Sequence, residues 1–267
     1  PKTKAVIITH LWGHPCELNE ITAICKKRGL PLIEDCSHAH GATYRGQKVG
    51  TFGDIACFSL GSQKILAAGE AGMMITDNRR LFEKALLLGD FGGRLKSELT
   101  LPETKVYQDT GMGCKYRANS LGAALGYSRF KRLDTMIEER QSTLNYLSKQ
   151  LEGIPGIRPP VTKDYVTRGG FFGYKPWYIS EELGGLSRNR YLEVLRAEGM
   201  DIRTTDTPPL HQLPFFKDSR GGFPAADLFF ESTLSLPTFS LKTERPVIDE
   251  YVSAFKKVAA ERETSHG

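Results

Sequence analysis

The sequence lacks long hydrophobic runs, and no apolar stretch approaches the ~20 residues that a membrane-spanning helix needs. Its start lacks the features of a secretory signal peptide, because Pro1-Lys2-Thr3-Lys4 leads directly into a short strand-like run. Cysteine is also scarce, since five residues in 267 are an odd number and too sparse for a disulfide framework. These absences predict a soluble, cytoplasmic protein with reduced thiols and no membrane association.

Neither charge dominates the sequence, which has 36 Lys and Arg against 31 Asp and Glu and a net charge of +5. The densest basic cluster, Arg129, Lys131 and Arg132, lies among helix-forming residues and is followed by acidic ones. This pattern is typical of a solvated helix face, so nucleic-acid binding is not expected. With 40% hydrophobic and 25% charged residues, the composition excludes a disordered or collagen-like chain.

The first sixty residues alternate between strand and helix patterns. Residues 5–9 are a short apolar run rich in β-branched side chains, and apolar residues then recur at helical spacing over residues 18–25. Basic residues followed by Gly29 mark the end of this helix, and residues 32–35 form the next predicted strand. A βαβ unit of this kind predicts an α/β fold with a parallel sheet covered by helices.

Two further strands are predicted at residues 54–60 and 72–77. Asn78 then caps a helix that runs to about Leu88. Residues 89–117 are rich in glycine and polar residues and indicate a long ordered loop. Loops of that length in compact domains are usually functional.

The second half of the sequence begins with one long predicted helix over residues 119–151. The composition shifts after Pro159-Pro160, which suggests a second, smaller α+β domain starting near residue 152. Its predicted elements are a strand around 173–179, a helix from the Ser187 cap to Gly199 and a last helix over 245–261.

Two polar residues follow predicted strands at positions suited to chemistry. Asp35 lies at the carboxyl end of a parallel strand, where ligand sites of open α/β sheets collect. Lys64 follows the strand at 54–60 among small residues, and desolvation there lowers an amine's pKa and makes it a usable nucleophile. On spacing alone these are weak signals, because a lysine after a strand is usually a solvated cation and an aspartate there is usually a turn or helix cap.

The residues taken together are far more specific. Residues 34–76, EDCSHAHGATYRGQKVGTFGDIACFSLGSQKILAAGEAGMMIT, resemble the signature of the DegT/DnrJ/EryC1/StrS family of pyridoxal-phosphate-dependent sugar and cyclitol aminotransferases. The resemblance continues through Gly113-Cys114-Lys115-Tyr116-Arg117, Pro209-Leu210-His211 and Leu234-Ser235-Leu236-Pro237.

The resemblance implies the type I aminotransferase fold, with a mixed, mainly parallel sheet in the large domain and a smaller α+β C-terminal domain. Three parts are then expected along the chain. Residues 1–118 are the C-terminal part of the cofactor-binding large domain, 119–151 a connecting helix and 152–267 the small domain.

The resemblance also implies roles for individual residues around pyridoxal 5′-phosphate. Lys64 matches the lysine that holds the cofactor as a Schiff base, and Asp35 the carboxylate that faces the pyridine nitrogen. His38 matches the residue beside the ring and its phenolic oxygen, and Ser59 a phosphate-binding hydroxyl. Lys115 stands where many members have an asparagine that reaches the cofactor phosphate of the other subunit.

Two residues of the C-terminal half are candidates for contact with the substrate, Tyr178 and His211. Each has an ordinary structural alternative. Tyr178 belongs to an aromatic stretch expected to be half core and half cleft wall, and His211 is equally explained as a structural histidine.

The expected front of the large domain is absent. Members of the family begin about a hundred or more residues earlier. That segment carries the turn that cradles the cofactor phosphate at a helix N-terminus, and the residue that stacks on the ring. We therefore expect a homo- or hetero-oligomer in which another chain supplies this segment, or a fragment of a longer protein.

The function expected from the resemblance is transfer of an amino group from an amino acid such as glutamine or glutamate to a keto-sugar or keto-cyclitol. Such a reaction belongs to secondary-metabolite or cell-surface sugar biosynthesis. Two alternatives stay open. One is a dehydration or deoxygenation with the same cofactor, although dehydratases of the family usually lack the lysine at position 64. The other is a non-catalytic subunit that completes a partner's site.

A metal site is the remaining chemical alternative. One possible set is His10, His14, Cys16 and Cys25, and the other is Cys36, His38 and His40. Neither set has a compact ligand pattern, so no metal is expected.

Overall fold

The computed structural model describes residues 2–205, 208–216 and 222–263 and forms eleven short strands and nine α-helices over them. The strands are β1 (Val6–Thr9), β2 (Leu32–Asp35), β3 (Thr43–Tyr44), β4 (Gln47–Lys48), β5 (Ile55–Ser59), β6 (Gly72–Ile75), β7 (Ile157–Arg158), β8 (Val166–Thr167), β9 (Trp177–Tyr178), β10 (Arg203–Thr204) and β11 (Leu234–Ser235). The helices are α1 (Leu18–Arg28), α2 (Arg79–Gly89), α3 (Gly93–Glu98), α4 (Pro102–Lys105), α5 (Ser120–Phe130), α6 (Leu133–Leu151), α7 (Arg188–Ala197), α8 (Pro224–Ser232) and α9 (Arg245–Glu263).

The chain divides into two compact units. The first comprises Pro1–Ile137 and Lys163–Gly170, and the second Glu138–Thr162 and Phe171–Gly267. Whether residues 1–118, 119–151 and 152–267 act as the three parts expected from the sequence stays a prediction. Within the described ranges, no helix combines the length and the apolar character needed to cross a bilayer.

The main sheet of the first unit has the order β1-β2-β5-β6. β1 pairs with β2 and β2 with β5 in parallel, whereas β6 runs antiparallel to β5. The expected mixed, mainly parallel sheet is therefore confirmed. The predicted end of α1 is also confirmed, because Gly29 adopts a left-handed conformation with a φ of 61° that glycine accepts without strain.

A second sheet of the first unit has the order β4-β3-β8. β3 and β4 form a hairpin whose two turn residues, Arg45 and Gly46, have φ values of 50° and 83°. Positive φ at both positions is the geometry that joins two strands through a two-residue turn. The sequence pattern did not predict this sheet, because each strand has only two residues.

The segment between α2 and α5 is more ordered than the predicted loop at 89–117. Asn78 caps α2 as expected, since its side chain accepts from the N–H groups of Arg80 and Leu81. The segment beyond contains two short helices, α3 and α4. Glu83 of α2 is fully buried and binds this segment through Thr100, Leu101 and Thr104.

The single helix predicted over residues 119–151 is wrong. The structure has two helices, α5 and α6, separated by Lys131 and Arg132. The N–H group of Arg132 binds the carbonyl of Arg129 over 2.9 Å, an i to i+3 bond that tightens the last turn and ends α5. The apolar pattern runs through the break, and Leu121 of α5 is 82% exposed.

The second unit is a small α+β structure, as predicted. Two antiparallel strand pairs, β7 with β9 and β10 with β11, accompany α7, α8 and α9. Ser187 caps α7 as expected. The strand expected around 173–179 is shorter and covers only Trp177–Tyr178. The largest fully buried side chains of this unit include Tyr174, Tyr191, Ile157, Leu195 and Phe255.

Candidate active site

The carboxyl ends of three adjacent strands meet at one edge of the main sheet. Thr9 of β1 lies in register with Asp35 of β2, which lies in register with Cys57 of β5. The N–H group of His10 binds the carbonyl of Asp35 over 3.1 Å, and so holds the ends of β1 and β2 together. This is the edge at which ligand sites of open α/β sheets form.

Asp35 is the carboxylate at this edge. It is half-buried, and its Oδ1 accepts from the N–H group of Ser37 over 3.0 Å. This bond closes a turn directly after the strand and orients the carboxylate. Side chains alternate along a strand, so Asp35 lies on the face opposite to Leu32 and Glu34, which are both buried.

Lys64 lies in the turn that follows β5. Its backbone N–H binds the carbonyl of Gly61 over 2.9 Å, and the N–H of Ala68 binds the carbonyl of Leu60 over 2.8 Å, so the loop is closed on itself. Burial lowers the pKa of Lys64, and the negative charge of Asp35 partly opposes that effect. The structure thus brings the predicted amine and carboxylate within electrostatic reach of each other.

Ser59 ends β5 just before this turn. Its Oγ accepts from the N–H group of Gly61 over 3.3 Å, and the residue is paired with Gly72 of β6. The Ser59 hydroxyl therefore lies at the start of the loop that bears Lys64.

His38 lies three residues after Asp35 and is half-buried. Its Nδ1 accepts from the backbone N–H of Trp12 over 3.3 Å. Trp12 belongs to a 3-10 turn after β1 and has a φ of 51° and a ψ of 28°, the left-handed region. That conformation costs an aromatic residue about 1–2 kcal/mol. The sequence analysis gave Trp12 no role, because nothing local signals its backbone conformation.

A buried hydrogen-bonded pair lies next to the proposed site residues in the sequence. Oε2 of Glu34 lies 3.0 Å from Nε2 of His10, and both side chains are fully buried. Glu34 also accepts from the N–H groups of Gly50, Phe52 and Gly53 at 2.7–2.8 Å. Burial alone raises the pKa of Glu34, but the hydrogen bonds from His10 and the backbone outweigh it, so the pKa lies below its ordinary value.

His10, Glu34 and Cys36 bring three possible metal-ligand atoms within 4.8 Å of one another. Their chemistry opposes metal binding. Nδ1 of His10 accepts from the N–H of Cys16 over 3.1 Å, so both ring nitrogens already have partners. Burial raises the pKa of Cys36, so a metal ion would have to displace a firmly held thiol proton.

Lys115 is exposed and contacts a different part of the first unit. Its Nζ lies 4.8 Å from the ring centroid of Phe91, and the Arg117 guanidinium lies 5.0 Å from the same ring. Arg117 also lies 3.9 Å from the carboxylate of Asp90. Among the described contacts, Lys115 binds none of the residues at the sheet edge, and its assignment to a cofactor phosphate stays a prediction.

The two candidate substrate residues belong to the second unit. Tyr178 is 4% exposed, its ring stacks on Tyr191 at 4.7 Å between centroids, and its hydroxyl donates to the carbonyl of Leu186. Its first role is therefore packing in the core of this unit. Nε2 of His211 lies 2.8 Å from Oδ1 of Asp227. Contact of either residue with a substrate stays a prediction.

Comparison with known proteins identifies the family. The model of the DegT/DnrJ/EryC1/StrS aminotransferase family matches residues 1–252. The chain belongs to this family. Its fold is the type I fold of these aminotransferases, as the resemblance implied.

Three relatives show how far the likeness extends. The uncharacterized protein MJ1066 of Methanocaldococcus jannaschii is 32% identical over 97% of this chain and 68% of its own length. A putative L-glutamine:3-amino-2,3-dideoxy-scyllo-inosose aminotransferase of Micromonospora echinospora is 30% identical over 94% of this chain and 59% of its own. The crystal structure of S. venezuelae DesV is 27% identical with a TM-score of 0.81, over 97% of this chain and 66% of that one. The chain therefore spans about two thirds of the length of the proteins it matches.

Proposed function

We propose that this chain is a pyridoxal-phosphate-dependent aminotransferase, or a subunit of one, that moves an amino group from an amino acid such as glutamine or glutamate to a keto-sugar or keto-cyclitol. The observation that carries the proposal is the position of Lys64 in the turn after β5, where burial lowers the pKa of its amine and the Asp35 carboxylate acts on it. A lowered pKa increases the fraction of neutral amine, which is the form that attacks carbonyl groups. Membership of the family supplies the cofactor.

The residues at the sheet edge fit pyridoxal phosphate by the chemistry of their donors. Asp35, oriented by the N–H of Ser37, would keep the pyridine nitrogen protonated. The Ser59 hydroxyl would bind the phosphate, and Lys64 would hold the aldehyde carbon. When bound, the cofactor supplies an electron sink for charge that develops at the substrate carbon.

Lys64 has a second task, which is to move a proton. Once displaced from the cofactor by an amino donor, its Nζ would take a proton from the substrate carbon and return it to the neighbouring cofactor carbon. A lowered pKa favours this role, because the amine must be neutral to accept the proton. The charge of Asp35 opposes this lowering in part.

Two alternatives from the sequence are less well supported. Dehydration with the same cofactor is disfavoured by Lys64, since dehydratases of the family usually lack this lysine. A purely non-catalytic subunit is disfavoured by the half-buried, desolvated amine, which a scaffold does not need. Relatives named as aminotransferases agree with transamination.

One face of the main sheet leaves apolar side chains uncovered. The sheet face that bears Asp35 also bears Ile7 and Cys57, and Ile7 is 67% exposed although it lies in the middle of β1. Apolar side chains on a sheet face are normally covered by another layer. We propose a homo- or hetero-oligomer in which another chain supplies that layer and the phosphate cradle, and in which Lys115 reaches the cofactor phosphate of the neighbouring subunit.

Tyr178 and His211 of the second unit are our candidates for contact with the acceptor. The hydrogen bond between His211 and Asp227 would orient the imidazole for such a contact.

The five cysteines are all free thiols, which supports the proposed cytoplasmic location.

Reductive trapping tests the proposal. The chain is mixed with pyridoxal phosphate, reduced with borohydride and mapped by mass spectrometry, with the Lys64→Ala variant and the exposed Lys48→Ala variant in parallel. We expect the label on Lys64, a visible absorption band that Lys64→Ala loses and Lys48→Ala keeps, and bleaching of the band by the true amino donor. Labelling of Lys48 in preference to Lys64, or transamination by Lys64→Ala, contradicts the assigned role.

A further inference from the structure

The backbone of Trp12 is held in a conformation that an aromatic residue avoids. The residue sits in the 3-10 turn at Leu11–Gly13 with a φ of 51°. Its carbonyl accepts from Nη1 of Arg168 over 3.4 Å, and Arg168 is itself 8% exposed. Non-glycine residues in the left-handed region persist only where surrounding contacts hold them, and they cluster at functional sites.

Both ends of this turn are anchored. His10, just before it, is fixed through its ring to Glu34 and through its N–H to the carbonyl of Asp35 at 3.1 Å. The N–H of His14, just after it, binds the carbonyl of Leu11 over 3.1 Å. The direction of the Trp12 N–H group is therefore set by the fold, and that group donates to Nδ1 of His38 over 3.3 Å.

A neutral imidazole carries one proton on one of its two nitrogens. Because Nδ1 of His38 accepts from Trp12, the proton of the neutral ring lies on Nε2. His38 then presents an N–H donor, not an acceptor, at its outer nitrogen. Asp35, three residues earlier, is oriented in the same turn by the N–H of Ser37.

We propose that Trp12 is a positioning residue that fixes His38 as the neutral Nε2–H tautomer, so that His38 donates a hydrogen bond to an anionic oxygen of the bound cofactor ring. The identity of that oxygen rests on the proposed function. The tautomer of His38 does not, because it is a property of the chain alone. The strained backbone at position 12 serves to aim one N–H group at one nitrogen.

Nuclear magnetic resonance of the ¹⁵N-labelled chain without cofactor tests the tautomer directly. Long-range ¹H–¹⁵N correlations at about pH 8, where imidazoles are neutral, resolve the six histidines, and His38→Gln identifies the signals of His38. We expect unprotonated Nδ1 and protonated Nε2. A protonated Nδ1 in the unmodified chain overturns the proposal at once.

Two variants at position 12 separate the N–H group from the side chain. Trp12→Gly keeps the N–H and tolerates a φ of 51°, so His38 should keep its single tautomer. Trp12→Pro removes the N–H, so the signals should shift to a mixture of tautomers. Retention of the pure Nε2–H tautomer in a folded Trp12→Pro variant contradicts the proposal.

A reciprocal measurement covers the case in which Trp12→Pro does not fold. Hydrogen exchange of the Trp12 amide should stay slow in His38→Gln, whose side-chain oxygen accepts, and become at least tenfold faster in His38→Ala, which offers no acceptor. Equal exchange in the two variants overturns the proposal. Because none of these readouts uses the cofactor, a failure of trapping at Lys64 would leave them unaffected.

Discussion

Nε2 of His10 donates to Oε2 of Glu34 over 3.0 Å inside a fully buried pair. The direction of this bond follows from the other ring nitrogen, which accepts from the N–H of Cys16. His10 precedes the turn that contains Trp12, and Glu34 directly precedes Asp35. One buried hydrogen bond therefore ties together the two strand ends that carry the proposed site.

Glu34→Gln should destabilise the first unit strongly. The amide group of glutamine would point a donor at N–H groups that the carboxylate accepts from, such as those of Gly50 and His10. We expect a loss of about 3 kcal/mol in the free energy of unfolding, measured in urea. The exposed Glu20→Gln on α1 serves as control and should change it by less than about 0.5 kcal/mol.

The Glu34 carboxylate should also make the free energy of unfolding depend on acid pH. The pKa of Glu34 in the folded chain lies below the ordinary value of 4.5, so the unfolded chain binds its proton first as the pH falls. The stabilisation is therefore complete above the ordinary value and is lost as the pH falls through the lowered one. Urea titrations at a series of acid pH values should show a steeper loss for the unmodified chain than for Glu34→Gln, and equal slopes would contradict this origin.

Glu83→Gln should loosen the segment between α2 and α5. Oε1 of Glu83 accepts from the N–H and hydroxyl of Thr100 at 2.9 and 2.7 Å, and from Arg79 at 2.7 Å. Burial alone raises the pKa of Glu83, but these bonds and that of Thr104 hold it well below its ordinary value. Limited proteolysis should cut near Thr100 several-fold faster in Glu83→Gln than in the unmodified chain. The adjacent exposed Lys84→Gln should leave the cutting rate unchanged.

Removing the charge of Asp35 should lower the pKa of Lys64 further. The carboxylate raises this pKa against the effect of burial. Competitive acylation followed across pH by mass spectrometry gives the pKa of each lysine, with exposed Lys27 as an internal reference. We expect Lys64 to titrate below Lys27, and lower still in Asp35→Asn. No difference between the two Lys64 values would show that Asp35 does not act on the amine.

The two fully buried tyrosines of the second unit should respond in opposite ways to loss of their hydroxyls. The Tyr191 hydroxyl has no hydrogen-bond partner among the described residues, whereas that of Tyr174 pairs with Oγ of Ser148 at 2.9 Å. Tyr191→Phe should leave the free energy of unfolding unchanged or raise it by up to about 1 kcal/mol, and Tyr174→Phe should lower it by about 1 kcal/mol. Equal losses in both variants would indicate a bound water at Tyr191.

Sequence signals that act over a few residues predicted the structure well. Asn78 and Ser187 cap their helices, and Gly29 ends α1, because each of these effects depends only on the adjacent turn. The motif at 34–76 predicted that Asp35 and Lys64 come together, because a family signature carries information about distant contacts. The break at Lys131 was not predictable from an apolar pattern that continues across it.

Contacts between residues far apart in the chain could not be predicted from the sequence. Glu83 lies on an ordinary helix, and its partner Thr100 is 17 positions away with no pattern to link them. Trp12 and His38 are 26 positions apart, and their contact depends on a backbone angle that no sequence pattern predicts. Leu121 is 82% exposed although its side chain is apolar, because exposure is decided by which layers the fold supplies.

The pairing of β3 with β8 has a consequence for the order of synthesis. Thr43 binds Thr167 across 124 positions of sequence, so a ribosome must add all of them before the strand meets its partner. At about 5–20 residues per second, synthesis of these residues takes about 6 to 25 seconds, during which the edge of β3 has no β8 to pair with. A nascent chain stalled before residue 166 would therefore emerge with β3 paired to β4 but with its other edge unpaired and open to association with neighbouring chains on the same messenger RNA.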